Sequence, residues 1–303
     1  TNTSIGTHYT RVIKKGYSFR INISACSAYN ADFDGDAMNL FIPQDPGAVE
    51  EIKLLSWIGN WSVSYQNYSP VFGCYQDSII GSSEISKIKK FTREEAMIIC
   101  SGIQPFNEIH IKGPISGIEL LSFAIPDINF PPKKIKQFLE QYSHIIEYDP
   151  ENIKLEIVKG QIKRGFLDKN SIGDGIMGSI FHVIIKERGS ENALRCIFNL
   201  QKMASNYFTL HGFTVGVKDV IISDQTKLLL KEKIKDTLSQ AEAITEKYNN
   251  LELVPPLGMT TREFYEELHL NSLSPGDSFI EPILHDIDIK NNGILQLVIT
   301  GSK

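Results

Sequence analysis

The chain has 303 residues, of which 42% are hydrophobic and 22% are charged, and its formal net charge at pH 7 is −5. This composition is ordinary for a globular chain, and the length allows two or three domains with a large buried core. Its uninterrupted apolar runs fall short of the roughly 18–20 residues that cross a membrane. No basic segment precedes an apolar stretch at the N-terminus, so we expect neither a membrane span nor a secretory signal.

The charge and the cysteines exclude further classes. A negative net charge is unexpected for a chain that contacts nucleic-acid phosphates along its whole surface, because such contacts need Lys and Arg. Cys26, Cys74, Cys100 and Cys196 stand far apart and form no C-x-x-C pair. This spacing argues against a zinc site and predicts free thiols in a reducing compartment.

The first predicted elements are two strands that flank an acidic loop. Residues 17–23 alternate apolar and polar side chains, and residues 38–43 form a mostly apolar run. Both patterns predict β-strands, the first of them half-buried. Between them, Asp32, Asp34 and Asp36 stand at alternate positions, where the side chains of an extended or looped backbone point the same way.

The three carboxylates predict a metal site. Like charges that converge on one point repel one another unless a cation lies among them, and oxygen ligands suit Mg²⁺, Mn²⁺ or Ca²⁺. Gly35 allows a sharp turn between two ligands. A helix-loop-helix calcium loop is excluded, because its sixth and twelfth positions, counted from Asp32, hold Ala37 and Pro43 instead of Gly and Glu. A solvated acidic turn and a purely structural metal site remain open as alternatives.

Most of the remaining chain is predicted to be helical. Helical spacing and capping residues predict helices over residues 46–57, 77–88, 92–100, 191–210 and 225–248. A further helix is expected from Thr260 or Thr261 to Leu270. Alternation around two glycines predicts a hairpin or two short strands over residues 155–167, and a breaker cluster at 126–132 precedes a short helix that ends near Tyr142.

Several segments together resemble a known family. Residues 29–40 (YNADFDGDAMNL) are similar to the absolute signature of the largest subunit of multisubunit DNA-directed RNA polymerases. Further similar segments follow in the family's order, at residues 76–81 (QDSIIG), 159–162 (KGQI), 178–183 (GSIFHV) and 210–219 (LHGFTVGVKD). The similarity extends from about residue 10 to the end of the chain.

The resemblance implies a fold class and a division of the chain. We expect an α+β fold in which part of a double-psi β-barrel carries the aspartate loop, followed by a mixed pore region and a mainly helical funnel region. The corresponding boundaries are residues 1–75 for the active-site region, 76–188 for the pore region and 189–303 for the funnel region. Because the chain begins without methionine and ends within a family segment, we expect it to be part of a longer subunit.

The resemblance also implies a reaction and its site. Asp32, Asp34 and Asp36 would hold the catalytic Mg²⁺, Asn30 would contact the ribose of the incoming nucleotide, and a second Mg²⁺ would arrive with that nucleotide. The reaction would transfer ribonucleoside triphosphates onto an RNA 3′ end on a DNA template. Expected partners are the second-largest subunit and the other polymerase subunits, the DNA template, the RNA product and nucleoside triphosphates, with no membrane. The isolated chain is expected to be inactive.

Two other functions are weighed against this one. Silencing-type RNA-dependent RNA polymerases also carry an Asp-x-Asp-Gly-Asp loop, but Asn30-Ala31, Met38-Asn39 and residues 211–219 follow the DNA-directed family. The second alternative is a non-catalytic pore and funnel module that binds other subunits. The large share of Ile, Lys and Asn fits a cytoplasmic DNA virus of large genome or a divergent eukaryote. The expected location is therefore the host cytoplasm or virion in the viral case and the nucleus in the cellular case.

Overall fold

A computed structural model of the chain describes residues 6–105, 109–133, 154–274, 279–288 and 291–302. The described residues up to 213 and from 296 onward form one compact unit, and those within 214–295 form a second. The mixture of helices with a small sheet agrees with the expected α+β class. The predicted helix that ends near Tyr142 lies outside the described residues.

The first unit contains short helices and one long helix. Its helices are α1 (Ile23–Tyr29), α2 (Pro46–Glu51), α3 (Asp77–Lys87), α4 (Arg93–Ile99), α5 (Gly117–Ser122), α6 (Lys169–Ile172), α7 (Ile180–Arg188) and α8 (Ser190–His211). A π-helical turn over Ile52–Ser56 directly follows α2. The helices predicted over residues 46–57, 77–88, 92–100 and 191–210 are therefore confirmed.

Local capping explains where two of these helices begin. At the start of α4, the Glu95 backbone N–H donates to Thr92 Oγ1 at 3.3 Å, and the Thr92 N–H donates to Glu95 Oε2 at 2.9 Å. Ser116 and Glu119 form the same reciprocal arrangement at the start of α5. These capping boxes pair N–H groups that the first helical turn leaves without partners.

The core of the first unit lies where α3 packs against α8. A Cβ added at Gly81 of α3 would lie 2.6 Å from the Cβ of Ala204 on α8, so the two backbones approach more closely than an alanine pair allows. The surrounding core is aliphatic and aromatic. Its fully buried side chains include Ile79, Ile85, Leu120, Leu121, Ile125, Phe181, Leu200 and Met203.

A small antiparallel sheet packs on this core. Its strands are β1 (Phe130–Lys133), β2 (Leu155–Val158) and β3 (Gln161–Arg164), in the order β1-β2-β3. Lys159 and Gly160 join β2 to β3 with φ of 49° and 72°, and positive φ at both central residues is what a two-residue type I′ hairpin requires. The predicted hairpin is confirmed.

The two strands predicted beside the acidic loop are wrong in this structure. Residues 38–43 have no regular structure, and residues 17–22 are irregular up to Ile23, where α1 begins. Asn22 favours the helix because its side chain accepts a hydrogen bond from the Ser24 N–H and caps the first turn. A strand also needs the backbone of a neighbour, and the described strands pair only with one another. Tyr17 and Phe19 are exposed.

The second unit is helical. It contains α9 (Asp224–Asn249), α10 (Thr261–Leu273), α11 (Ile280–Asp286) and the start of α12 (Gly293–Thr300). Thr260 caps α10 through a capping box with Glu263, as the sequence predicts. Tyr248 and Tyr265 stack across α9 and α10, with ring centroids 4.3 Å apart. In the described part of the chain, every helix is too short or too polar to cross a bilayer.

Candidate metal centre

The acidic loop leaves the C-terminal end of α1. Asn30 caps this end in the left-handed conformation (φ 51°, ψ 40°), and its N–H donates to the carbonyl oxygens of Cys26 and Ser27. The next residue, Ala31, donates its N–H to the Cys26 carbonyl at 3.1 Å. Asparagine adopts this conformation more readily than most residues with a Cβ. Helix α1 therefore ends at its C-cap, Asn30, and the chain turns there into the acidic loop.

The loop brings three carboxylates together. Asp32, Asp34 and Asp36 each offer one carboxylate oxygen, and these oxygens all lie within 4.8 Å of one another. Backbone hydrogen bonds support the arrangement: the Asp32 N–H donates to Asp36 Oδ2 at 3.0 Å, and the Asp34 N–H donates to Asp32 Oδ1 at 3.3 Å. Gly35 turns the chain between two of the aspartates with a φ of 125°.

The electrostatics of the loop favour a cation. A hydrogen bond with the Asp32 side chain and the negative charges of Asp32 and Asp36 raise the pKa of the Asp34 carboxyl above its ordinary value. Burial, and then the charge of Asp32, raise the pKa of the nearby Cys26 thiol. A divalent cation among these carboxylates would offset their mutual repulsion. The donor set consists of hard oxygen ligands, which fits Mg²⁺ or Mn²⁺.

The surroundings of the loop are open. All three aspartates and Asn30 are exposed to solvent. The side chain of Phe33, within the loop, is 70% exposed. The loop is thus reached from solvent and is not enclosed between two strands. Asn30 lies where the loop begins, two residues before Asp32 in sequence.

Sequence reasoning missed two side chains that hold α1 in place. On α8, Gln201 donates its Nε2 hydrogen to Ser24 Oγ, and its Oε1 accepts from Asn22 Nδ2 at 3.1 Å. Ser27 Oγ donates to Asp174 Oδ2 at 2.6 Å. These partners are separated from α1 by 147 to 179 residues along the chain, so no local spacing indicates them.

The donor set and its setting define a class of site. The site is a solvent-open centre of three carboxylates, carried by a loop that follows a short capped helix, and it is suited to a divalent cation. Comparison with known protein families then identifies the family of the chain. Residues 61–220 match the family described as RNA polymerase Rpb1, domain 3, and residues 1–58 match RNA polymerase Rpb1, domain 2. The chain belongs to the RNA polymerase Rpb1 family.

Individual relatives agree with this assignment. The chain is 32% identical to the DNA-directed RNA polymerase RPB1 homolog of African swine fever virus (isolate Tick/Malawi/Lil 20-1/1983), over 99% of this chain and 22% of the viral protein. It is 30% identical to DNA-directed RNA polymerase subunit Rpo1N of Sulfolobus acidocaldarius, over 99% of this chain and 35% of that subunit.

A third relative comes from a eukaryote. DNA-directed RNA polymerase II subunit RPB1-B of Trypanosoma brucei brucei is 29% identical over 86% of this chain and 14% of that subunit. The chain thus spans between 14% and 35% of the length of these three relatives. The largest-subunit resemblance noted from the sequence is confirmed.

Proposed function

We propose that this chain is the part of a DNA-directed RNA polymerase largest subunit that carries the catalytic metal loop. The reaction is the Mg²⁺-dependent transfer of a ribonucleotide from its triphosphate onto an RNA 3′ end, directed by a DNA template. The observation that carries the proposal is the convergence of the Asp32, Asp34 and Asp36 carboxylates, with their oxygens within 4.8 Å of one another, in a member of the Rpb1 family.

The proposed roles of the residues rest on the family resemblance and on their positions in the loop. Asp32, Asp34 and Asp36 would each give one carboxylate oxygen to Mg²⁺. An ion held there would supply a Lewis acid for the RNA 3′-hydroxyl, and a second ion brought by the nucleotide would supply positive charge beside the leaving pyrophosphate. Gly35 lets the backbone turn so that the carboxylates face one point. Asn30, exposed where the loop begins, contacts the ribose of the incoming nucleotide.

In the full enzyme, we expect other parts of the subunit to cover the apolar surface near the acidic loop. Val12, Tyr17, Phe19 and Phe41 are exposed large apolar side chains near the loop in sequence. Groups of exposed apolar residues mark surfaces that are covered in an assembly. We assign residues 1–75 to the active-site region, which contributes part of a double-psi β-barrel completed by other parts of the subunit, residues 76–188 to a pore region and residues 189–303 to a funnel region.

The partners are the second-largest subunit and the other polymerase subunits, the DNA template, the RNA product and nucleoside triphosphates. The isolated chain is inactive in this proposal, because its loop stands open to solvent and other parts of the enzyme position the template and the RNA 3′ end. The relatives come from a virus, an archaeon and a eukaryote. The chain acts in the host cytoplasm or virion if its source is viral, and in the nucleus if its source is a eukaryote.

The decisive experiment uses the full-length parent subunit assembled with its partner subunits. Ribonucleotide incorporation is compared for the wild type, Asp34→Asn and a control, Asp236→Asn, on a DNA template and on an RNA template. Asp236 is an exposed residue of α9, so the control makes the same chemical change outside the loop. We expect Asp34→Asn to lose nearly all DNA-templated extension and the control to keep it.

Two outcomes would contradict the proposal in different ways. Full activity of Asp34→Asn would reduce the loop to a structural metal site. A preference of the wild type for the RNA template would place the chain with the silencing-type RNA-dependent RNA polymerases.

A further inference from the structure

We propose that Gln201 is a positioning residue for the metal loop, because its side-chain amide fixes the helix from which the loop extends. This inference rests on the proposed function of Asp32, Asp34 and Asp36 as metal ligands. It assigns a role to a residue of α8 that lies far from the loop in sequence and is itself no metal ligand.

Both ends of the Gln201 amide are used at the start of α1. Nε2 donates to Ser24 Oγ, and Oε1 accepts from Asn22 Nδ2 at 3.1 Å. Asn22 is in turn the N-cap, with its side-chain oxygen accepting from the Ser24 N–H at 2.9 Å. The Gln201 and Asn22 side chains and the Ser24 hydroxyl and backbone N–H form a closed set of hydrogen bonds, which fixes the orientation of the first turn of α1 relative to α8.

The orientation of α1 is passed on to the loop through its other end. The Cys26 and Ser27 carbonyls accept the N–H groups of Asn30 and Ala31, the residues that lead into the loop. The helix has only seven residues, and a helix of that length is marginal without tertiary contacts. A rotation of α1 therefore moves the start of the loop and, with it, the carboxylates.

Gln201 is not among the buried core residues of α8. Helix α8 is anchored by buried residues on its other positions, among them Cys196, Leu200 and Met203. Gln201 is only half-buried and lines a cavity of about 520 Å³ together with Asn22 and Phe208. Loss of the amide should leave α8 folded and free α1 to change its orientation.

Gln201→Met tests the inference in the full-length parent subunit assembled with its partner subunits. Methionine keeps the length of the side chain and suits a helix, but it removes both hydrogen bonds. We expect the dissociation constant for Mn²⁺, measured from the electron paramagnetic resonance signal of the free ion, to rise about tenfold, as for other residues that support metal ligands indirectly. Amide hydrogen exchange without metal should become faster over residues 22–36 and stay unchanged over α3 and α8.

Three further variants separate positioning from a general effect. Lys202→Met places the same residue at the exposed neighbouring position and should change neither measurement. Gln201→Glu keeps an acceptor for Asn22 and for the Ser24 hydroxyl, and should restore most of the Mn²⁺ affinity. Asp34→Asn removes a ligand and should abolish binding without changing exchange over α1.

Two results would overturn the inference, and they are distinguishable. If the wild type binds Mn²⁺ and Gln201→Met binds it equally well, Gln201 has a structural role at most, while the metal site stands. If the wild type binds no Mn²⁺ at millimolar concentration, the metal site of the proposed function fails, and the positioning role fails with it.

Discussion

Gly35 acts on the metal loop through its backbone. Its φ of 125° lies in a region that residues with a Cβ rarely adopt, although a Cβ there would meet no atom within 4 Å. Gly35→Ala should therefore drive the loop into another conformation, separate Asp34 from Asp36 and weaken Mn²⁺ binding. Because the position is open, the thermal midpoint of unfolding should change little. Titration of Mn²⁺ by electron paramagnetic resonance measures the first effect, and a thermal scan measures the second.

Gly258 supplies the matched control for this variant. It also has a positive φ, 93°, and open space around a Cβ, but it lies in the second unit. Gly258→Ala should strain its own turn and leave Mn²⁺ binding intact. Equal losses of Mn²⁺ binding in the two variants would show that the conformation of Gly35 is not what brings the carboxylates together.

At the level of single residues, the sequence predicts the candidate metal ligands better than the side chains that hold α1 in place. The alternate positions of Asp32, Asp34 and Asp36 predict that they converge, and the structure adds the turn at Gly35 and the backbone hydrogen bonds that bring them together. Their roles as metal ligands remain a prediction. Gln201 and Asp174 give no such signal, since their contacts with α1 depend on the whole path of the chain.

At the level of elements, the close packing of α3 against α8 requires that Gly81 has no side chain. A Cβ on Gly81 would lie 2.6 Å from the Ala204 Cβ and 3.0 Å from its Cα. Gly81→Ala gains about 1 kcal/mol of helix propensity but forces the helices apart, and overpacking of this kind costs about 1–3 kcal/mol. We expect a net loss of stability in the first unit, measured by denaturant unfolding.

Tryptophan fluorescence reports this unfolding selectively. The two tryptophans, Trp57 and Trp61, both lie in the first unit. Gly113→Ala is the control, because a Cβ at Gly113 would meet nothing within 4 Å, and its effect should stay within about 0.5 kcal/mol. A Gly81→Ala variant as stable as this control would show that separating α3 and α8 costs no more than the roughly 1 kcal/mol that helix propensity returns.

Elements with strong local signals are the ones that sequence reasoning predicts correctly. Thr92 and Thr260 are the N-caps of two helices, and each is followed three residues later by a Glu that completes a capping box. This spacing is visible in the sequence. The strand predicted over residues 17–23 is wrong because alternation along one segment does not supply a strand to pair with, whereas Asn22 caps a helix. Short elements of this kind are decided by tertiary contacts, which a periodic pattern does not contain.

At the scale of the whole molecule, the two units differ in how much they bury. Helix α8 of the first unit buries residues along its length, including Ala193, Leu200 and Tyr207. In the second unit, α9 buries Thr226 and Ala241, and α10 has no buried residue. Local stability follows buried contacts, so the long helices of the second unit should open more readily.

Hydrogen exchange of the native chain tests this difference. Amides of α9 and α10 should exchange at least about tenfold faster than those of α8, which compares two long helices within one molecule. The contrast should persist on dilution. Equal protection in α8 and α9 would mean that burial in the second unit is greater in solution than the described residues provide.

The left-handed conformation of Asn30 has a consequence for protein engineering. A library that randomises this position to test the proposed ribose contact would first select for residues that tolerate the left-handed backbone. Branched side chains would distort the exit from α1, and their defects would be mistaken for lost recognition of the ribose. Gly and Asp keep the turn and change only the functional group, so these two substitutions separate substrate choice from architecture.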